Sequence, residues 1–280
     1  MTTNATSLRA LLTELIDYAG LFPPAGLDMA AAVRNYASYL SGRYSWIAGR
    51  FVVPAGRLEE FAKAAEPYTG GNDWKVSILG APTAPLPGRG YAVDAIEVRA
   101  DRVKDIHVSG PAMTYFEISP AAPRLEAMIE AIAKVGARAK IRTGGLTADA
   151  FPDAARVAHF QWLCQKAGVA FKATAGLHHP VRGPHPFTYE SSSARGLMHG
   201  FVNVFLAAAM IFAGASEPDA TRLLEECTPD AFHFDNESVS WQSYRITREQ
   251  IQSARERFAI SFGSCSFEEP VRELAALAPI

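Results

Sequence analysis

Two short apolar segments, one helix apart, each carry a lysine inside them and end at a glycine turn. The first reads A-R-A-K-I-R-T-G-G-L and contains Lys140, and the second reads V-A-F-K-A-T-A-G-L and contains Lys172. Burying an ammonium group is costly unless a partner compensates its charge. We therefore expect two parallel strands of a βαβ unit, whose polar side chains point to one place.

The rest of the chain alternates between strand-like and helix-like periods. The predicted strands are Ile16–Ala19, Arg50–Pro54, Lys75–Gly80, Ala92–Arg99, Thr114–Ser119, Arg138–Thr143, Val169–Thr174 and Ala259–Gly263. The longer predicted helices include Leu27–Leu40, Leu58–Ala65, Pro123–Val135, Ala148–Ala167, Gly196–Ala213 and Thr247–Phe258. This order favours the α/β class and a single (β/α)8 TIM barrel over residues 1–280. An open doubly wound sheet is the alternative, but no G-x-G-x-x-G follows an early strand.

Two segments depart from the regular barrel pattern. The stretch A-P-T-A-P-L-P-G-R-G after the third strand is too rich in proline and glycine for a helix, so a loop is expected to replace one barrel helix. Ala231–Ile246 alternates on both sides of Asp235–Ser238, which predicts an inserted β-hairpin. If Ile16–Ala19 were only a helix end, Ala231–Phe234 would have to supply the eighth strand.

Strand alternation assigns the charged residues of the predicted strands to the barrel interior. Apolar neighbours such as Ile141 and Phe171 face the helices. The predicted interior set is Asp17, Glu97, Arg99, Glu117, Lys140, Arg142 and Lys172. Buried ion pairs often cost more than they contribute, so this concentration of charge near strand ends favours an active site over purely structural pairing.

Lys172 is the residue on which the predicted chemistry depends. If Lys140 lies beside it, the second cation lowers the pKa of Lys172 and leaves a free amine. A free amine can form a Schiff base with a carbonyl substrate or act as a general base, and Glu117 can shuttle the protons.

The segment F-K-A-T-A-G, from Phe171 to Gly176, resembles the strand-end lysine motif of Schiff-base barrel aldolases of the deoxyribose-phosphate aldolase kind. The resemblance covers six residues. It implies a TIM-barrel lyase in which Lys172 is the Schiff-base lysine and Lys140 is the cation that lowers its pKa.

The loop after the seventh strand, Gly176–Arg195, carries the remaining candidates. His178, His179 and His185 lie in it. His178 or His179 could complete a divalent metal site with Glu117, Asp17 or a neighbouring histidine, although no H-x-H, H-E-x-x-H or D-x-D motif is present. Otherwise these histidines bind an anionic substrate or cap a strand end.

Arginines and a cysteine complete the predicted site. Arg182, with Arg142, Arg99 and the glycine turn at Thr143–Gly145, suits a carboxylate or phosphate group. Cys265 ends the last strand in F-G-S-C-S-F. It is either a small buried side chain or a nucleophile whose base is His178 or His179.

Composition excludes some classes of partner. The formal net charge is −2, and the basic residues are scattered, so no nucleic-acid partner is expected. The longest apolar run, Phe201–Ala215, contains Asn203 and is too short to span a bilayer. The N-terminus does not resemble a signal peptide, and the cysteines are widely spaced, so we expect a cytoplasmic protein without a membrane partner. An exposed hairpin edge could pair with a second copy in a homo-oligomer.

Three functions are compatible with these features. The first is a lyase or isomerase acting on a small anionic carbonyl or hydroxy-acid compound, with Lys172, Lys140 and Glu117 catalytic. Its substrate-binding residues are Arg142, Arg99, Glu97, Asp17, His178, His179, Arg182 and Cys265. The second is a metal-dependent hydrolase or isomerase that uses His178 or His179 with carboxylates. The third is a non-catalytic binding barrel. No cofactor is expected beyond the divalent metal of the second hypothesis.

Overall fold

The computed structural model describes residues 6–70, 73–81, 90–108 and 110–277. The strands of these residues are β1 (Ile16–Tyr18), β2 (Ala48–Pro54), β3 (Trp74–Leu79), β4 (Tyr91–Arg99), β5 (Met113–Glu117), β6 (Arg138–Arg142), β7 (Phe171–Thr174), β8 (Gly183–Pro186), β9 (Arg195–Met198), β10 (Phe232–Phe234), β11 (Ser238–Trp241), β12 (Tyr244–Thr247) and β13 (Ala259–Ser264). Strands β1 to β7 and β13 close into a parallel barrel, in the order β1-β13-β7-β6-β5-β4-β3-β2. The predicted TIM barrel is confirmed, and so is its short first strand.

Helices surround this barrel. They are α1 (Thr6–Leu12), α2 (Met29–Ser41), α3 (Leu58–Ala65), α4 (Leu125–Lys134), α5 (Ala154–Lys166), α6 (Phe201–Phe212), α7 (Glu217–Glu225), α8 (Arg248–Arg257) and α9 (Glu268–Leu277). Between β4 and β5 the described residues form only a 3₁₀ turn at Val103–Asp105, so a loop occupies a helix position there. The proline-rich stretch predicted to replace a helix between β3 and β4 falls largely on residues 82–89, outside the described residues.

Two helix starts differ from the prediction. Helix α5 begins at Ala154 rather than Ala148, because the Asp153 carboxylate caps it by accepting a hydrogen bond from the Arg156 N–H. Helix α6 begins at Phe201 rather than Gly196, because Arg195–Met198 pairs with Gly183–Pro186 in an antiparallel ribbon. The histidine-rich loop is therefore folded on itself above the barrel.

The predicted hairpin insertion is confirmed, and a third strand extends it. Strand β11 pairs with β10 on one side and with β12 on the other. The turn between β10 and β11 also contacts α1, since the hydroxyl of Ser7 in α1 donates to the Asp235 carbonyl at 2.5 Å. The insertion thus helps to fix the position of α1, the helix that precedes β1.

The apolar core lies between the barrel and its helices. An aromatic group joins β1 and β2 to α2 and α3, with Tyr18 stacked on Tyr36 and Phe51 in edge contact with both. Helix α6 is buried along almost its whole length, because α5, α7 and α8 all pack against it. That packing explains the uniformly apolar sequence of the helix.

Candidate active site

The barrel interior contains a continuous network of paired charges. Strand pairing places Lys140 beside Lys172 and Glu117 beside Lys140. Lys172 Nζ lies 2.5 Å from Asp17 Oδ2 and 2.6 Å from Glu97 Oε1. Lys140 Nζ lies 2.7 Å from Glu97 Oε2 and 2.8 Å from Glu117 Oε2. Five strands therefore contribute to one chain of alternating charge, from Asp17 to Glu117.

The environment of Lys172 contradicts the expected free amine. Its side chain is 1% exposed, and burial by itself lowers the pKa of an ammonium. The Asp17 and Glu97 carboxylates outweigh that effect, so the pKa of Lys172 is raised above its ordinary value. The prediction that Lys140 lowers this pKa is wrong, because a carboxylate from β4 lies between the two lysines.

Glu97 is the centre of the network. Besides the two lysines, it accepts a hydrogen bond from Ser77 Oγ at 2.6 Å. Burial raises the pKa of Glu97, but the charges of Lys172 and Lys140 dominate and hold this pKa well below its usual range. Asp17 is similarly enclosed, with Ser261 Oγ donating to it at 2.8 Å. Both carboxylates therefore have the partners that buried anions require.

A cavity of about 980 Å³ opens at the carboxyl ends of the barrel strands. Glu97, Glu117 and Lys140 contribute to its lining from the barrel interior. Other polar lining residues are Arg99, Lys104, Asp105, His107, Thr114, Arg142, Thr174, His178 and Cys265. Lys172 and Asp17 do not line the cavity. Lys172 contacts the lining residue Glu97, and Asp17 contacts Lys172. This is the face on which barrel enzymes carry their active sites.

The three predicted anion-binding arginines occupy different positions. Arg142 lines the cavity with its side chain 54% exposed, and its Nη1 lies 3.7 Å from Glu117 Oε1. Arg99 is not interior as predicted: it lies at the cavity mouth, 76% exposed, and pairs with Asp101 at 2.8 Å. Arg182 does not line the cavity, and its backbone N–H donates to the side chain of Asn203. Of these three arginines, Arg142 is thus the one that lies beside the lysine network, next to Glu117.

Cys265 and His178 meet at the cavity wall. Cys265 Sγ lies 3.9 Å from His178 Nε2, and His178 Nδ1 lies 2.9 Å from Glu269 Oε2. The Tyr189 hydroxyl donates to the same carboxylate at 3.0 Å. Burial lowers the pKa of His178, but its contacts with Cys265 and Glu269 prevail and raise this pKa to about 9.

His179, unlike His178, does not line the cavity. Its Nδ1 lies 2.8 Å from Glu273 Oε2, and its ring stacks on His185 with centroids 3.4 Å apart. Burial and the neighbouring His179 lower the pKa of His185 to about 4. The expected metal partners Glu117 and Asp17 belong instead to the lysine network. Among the described residues, ligand atoms of His179, Glu269 and Glu273 converge within 4.8 Å of one another.

Sequence reasoning missed the contribution of α9 to the site. Glu269 and Glu273 are four residues apart, and this spacing places both on one face of a helix. That face meets the two histidines after β7. Lys104, Asp105 and His107, from the connection between β4 and β5, were also missed.

No family model, no curated protein and no solved structure matches this chain. The barrel fold is compatible with an enzyme, and the charged cavity lies on the face that barrel enzymes use. In the part of the chain that the structure describes, no helix is long and apolar enough to cross a membrane. What the protein does is therefore inferred from the cavity itself.

Proposed function

We propose that the chain is an isomerase or lyase that moves a proton on a small anionic carbonyl or hydroxy-acid compound, with Lys140 and Glu117 as its catalytic pair. One observation carries this proposal: Lys140 Nζ bridges Glu97 and Glu117, at 2.7 and 2.8 Å, in the lining of the cavity. A cation beside a carboxylate at the barrel mouth can stabilise an enolate while the carboxylate removes a proton from carbon.

Each group has a role that its position allows. Glu117 is the base, since it lines the cavity and is only partly enclosed. The Lys140 ammonium stabilises the negative charge that develops on the substrate oxygen. Arg142 holds the carboxylate or phosphate of the substrate, for which its guanidinium offers paired donors. Lys172, which is paired with Asp17, fixes Glu97, and Glu97 in turn holds Lys140 in place.

A Schiff-base lyase is a more specific form of this proposal. The aldolase-like motif assigns the reacting amine to Lys172, but Lys172 is enclosed by two carboxylates and does not line the cavity. Lys140 is the interior lysine that a carbonyl compound could reach. Borohydride trapping followed by peptide mass spectrometry tests this form. An adduct on Lys172 would contradict the enclosed position, and an adduct on Lys140 would support the Schiff-base route.

A metal-dependent hydrolase or isomerase is the second candidate, and the convergence of His179, Glu269 and Glu273 favours it. None of these three residues lines the cavity, so an ion held by them would lie beside the substrate space. Elemental analysis of the purified protein tests this candidate. A stoichiometric metal whose removal abolishes activity would support it, and activity unaffected by chelators would exclude it.

Proton exchange separates an enzyme from the non-catalytic binding barrel. The protein is incubated in D₂O with a panel of small 2-oxo acids, 2-hydroxy acids and sugar phosphates, and loss of C–H signals is followed by proton NMR. We expect exchange with at least one compound, and its loss in Glu117→Gln and Lys140→Met. Glu126→Gln is the control, because Glu126 is in an exposed ion pair with Lys166. Binding without exchange across the panel would favour the binding barrel.

A further inference from the structure

Cys265, His178 and Glu269 form a second reactive group on the cavity wall, apart from the lysine network. Cys265 follows β13 and precedes α9, and both Cys265 and His178 line the cavity. Sulfur and Nε2 are 3.9 Å apart, and the other ring nitrogen lies 2.9 Å from the Glu269 carboxylate. Cys265, His178 and Glu269 are thus placed as a nucleophile, a base and a group that orients the base.

The hydrogen-bonding pattern fixes the direction in which the proton moves. The Glu269 carboxylate also accepts a hydrogen bond from Tyr189, so it faces two donors, and His178 Nδ1 must carry a proton. His178 Nε2, 3.9 Å from the sulfur, is then the atom that takes up and holds the proton of the Cys265 thiol, which agrees with the raised pKa of His178. The negative charge of Glu269 stabilises the imidazolium that results.

The other two cysteines lack these features. Cys164 is buried in α5, away from the cavity. Cys227 is exposed, and its thiol donates to the carbonyl of Glu225 at 3.4 Å. The chain therefore contains its own controls, one for burial and one for ordinary exposure.

We propose that Cys265 is a nucleophile that captures the carbonyl carbon of a small anionic aldehyde in the cavity as a hemithioacetal. The class of substrate rests on the proposed function, whereas the reactive thiol does not. The thiol proton passes to His178 Nε2, and a sulfur lone pair forms the S–C bond. The carbonyl π pair moves to oxygen, which takes the proton back from His178. No co-reactant is consumed, and the reverse steps release the aldehyde.

The aldehyde is favoured over a ketone because its carbon is less crowded, and Cys265 is only 6% exposed. The anionic group follows from Arg142 and Lys104, which line the same cavity. Glyoxylate combines an aldehyde and a carboxylate in a very small molecule, so it serves as the probe.

The test follows alkylation of each cysteine by iodoacetamide in the native protein, with peptide mass spectrometry. We expect Cys265 to react about tenfold faster than Cys227 despite its lower exposure, because a paired base activates it. An excess of glyoxylate should slow alkylation of Cys265 and leave Cys227 unchanged. His178→Asn and Glu269→Gln should each remove the advantage of Cys265, while unlabelled Cys164 reports that the variants remain folded.

Three results would overturn the proposal. If Cys265 reacts no faster than Cys227, or reacts equally fast in the folded His178→Asn protein, then the thiol is not activated. If Cys265 reacts fast but glyoxylate gives no protection, then the carbonyl step is wrong. Failure of the proposed proton transfer is measured separately, as absent C–H exchange in the native protein, and has no bearing on the alkylation rates.

Discussion

Lys172 Nζ lies 2.5 Å from Asp17 Oδ2, although the two residues are 155 positions apart in the chain. The same ammonium contacts Glu97 on β4, at 2.6 Å. The Lys172 side chain therefore links β7 to β1 and β4 across the barrel interior, and no two of these three strands are adjacent in the barrel. This ammonium is paired with two buried carboxylates at once, so its removal has a predictable cost.

Lys172→Met should lower the free energy of unfolding by about 3–5 kcal/mol, because it leaves two carboxylates buried without their shared cation. Urea denaturation measures this loss. Lys166→Met is the control, since Lys166 forms an exposed ion pair with Glu126 and should change stability by about 0.5 kcal/mol or less. A Lys172→Met protein as stable as the wild type would mean that the interior charges are dispensable, as the binding-barrel hypothesis expects.

Stability should fall in acid because of Glu97. The pKa of Glu97 is lower in the folded protein than its ordinary value of about 4.3, so the unfolded chain binds the proton more readily. The stabilisation is complete above that ordinary value and is lost as pH falls towards the folded pKa, at up to about 1.4 kcal/mol per pH unit. Urea unfolding between roughly pH 7 and pH 3 measures this slope.

Glu97→Gln should reduce the acid slope, whereas Glu126→Gln, in an exposed ion pair, should retain it. The raised pKa of Lys172 acts at the other end of the scale: its contribution is complete below about pH 10.4 and is lost as pH rises through the folded value. An unchanged acid slope in Glu97→Gln would contradict the assignment.

Gly49→Ala should displace Asp17, because an added Cβ would overlap Asp17 Oδ1 and lie 3.2 Å from the carbonyl oxygens of Glu14 and Ile16. We expect a loss of about 1–3 kcal/mol in the free energy of unfolding, as for other overpacked interiors. Gly56→Ala is the matched control, since its Cβ would meet no atom within 4 Å. Equal stability of the two variants would show that Asp17 has room to move.

Arg142→Gln should weaken binding of a small dicarboxylate such as oxalate by about tenfold, because a charge-assisted contact is lost. Isothermal titration calorimetry measures the affinity. Arg156→Gln is closely matched, as both arginines are just over half exposed and both lie 3.7 Å from a carboxylate partner. The same loss in both variants would mean that oxalate binds by net charge rather than in the cavity.

Alternation along the strands was enough to predict the barrel and the inward direction of Asp17, Glu97, Lys140 and Lys172. It could not give the neighbours of each charge. The strand pairing of Lys140 with Lys172 was foreseeable, but Glu97 reaches the space between them from β4. The pKa of Lys172 is raised rather than lowered because barrel closure brings the Asp17 and Glu97 carboxylates to it.

Contacts that the strand pattern does not encode explain the remaining differences between the predicted and the observed site. Arg99 has the interior parity, but it is the last residue of β4, and Asp101 pairs with it outside the barrel. Glu269 and Glu273 had a visible helical spacing, but nothing in the sequence indicated that this face of α9 would pack on the histidines. Element geometry was thus readable from the chain, whereas contacts between distant elements were not.

Pairing of β1 with β13 gives the barrel a seam between its first and last strands. A nascent chain cannot complete that seam until residue 264 has left the ribosome, so Asp17 and Lys172 cannot pair inside a closed barrel before then. Long-range closure of this kind makes folding slow and leaves partly synthesised barrels with open strand edges. Amide hydrogens of β1 and β13 should therefore exchange only through global unfolding, which makes the seam the best reporter of the cooperativity of this protein.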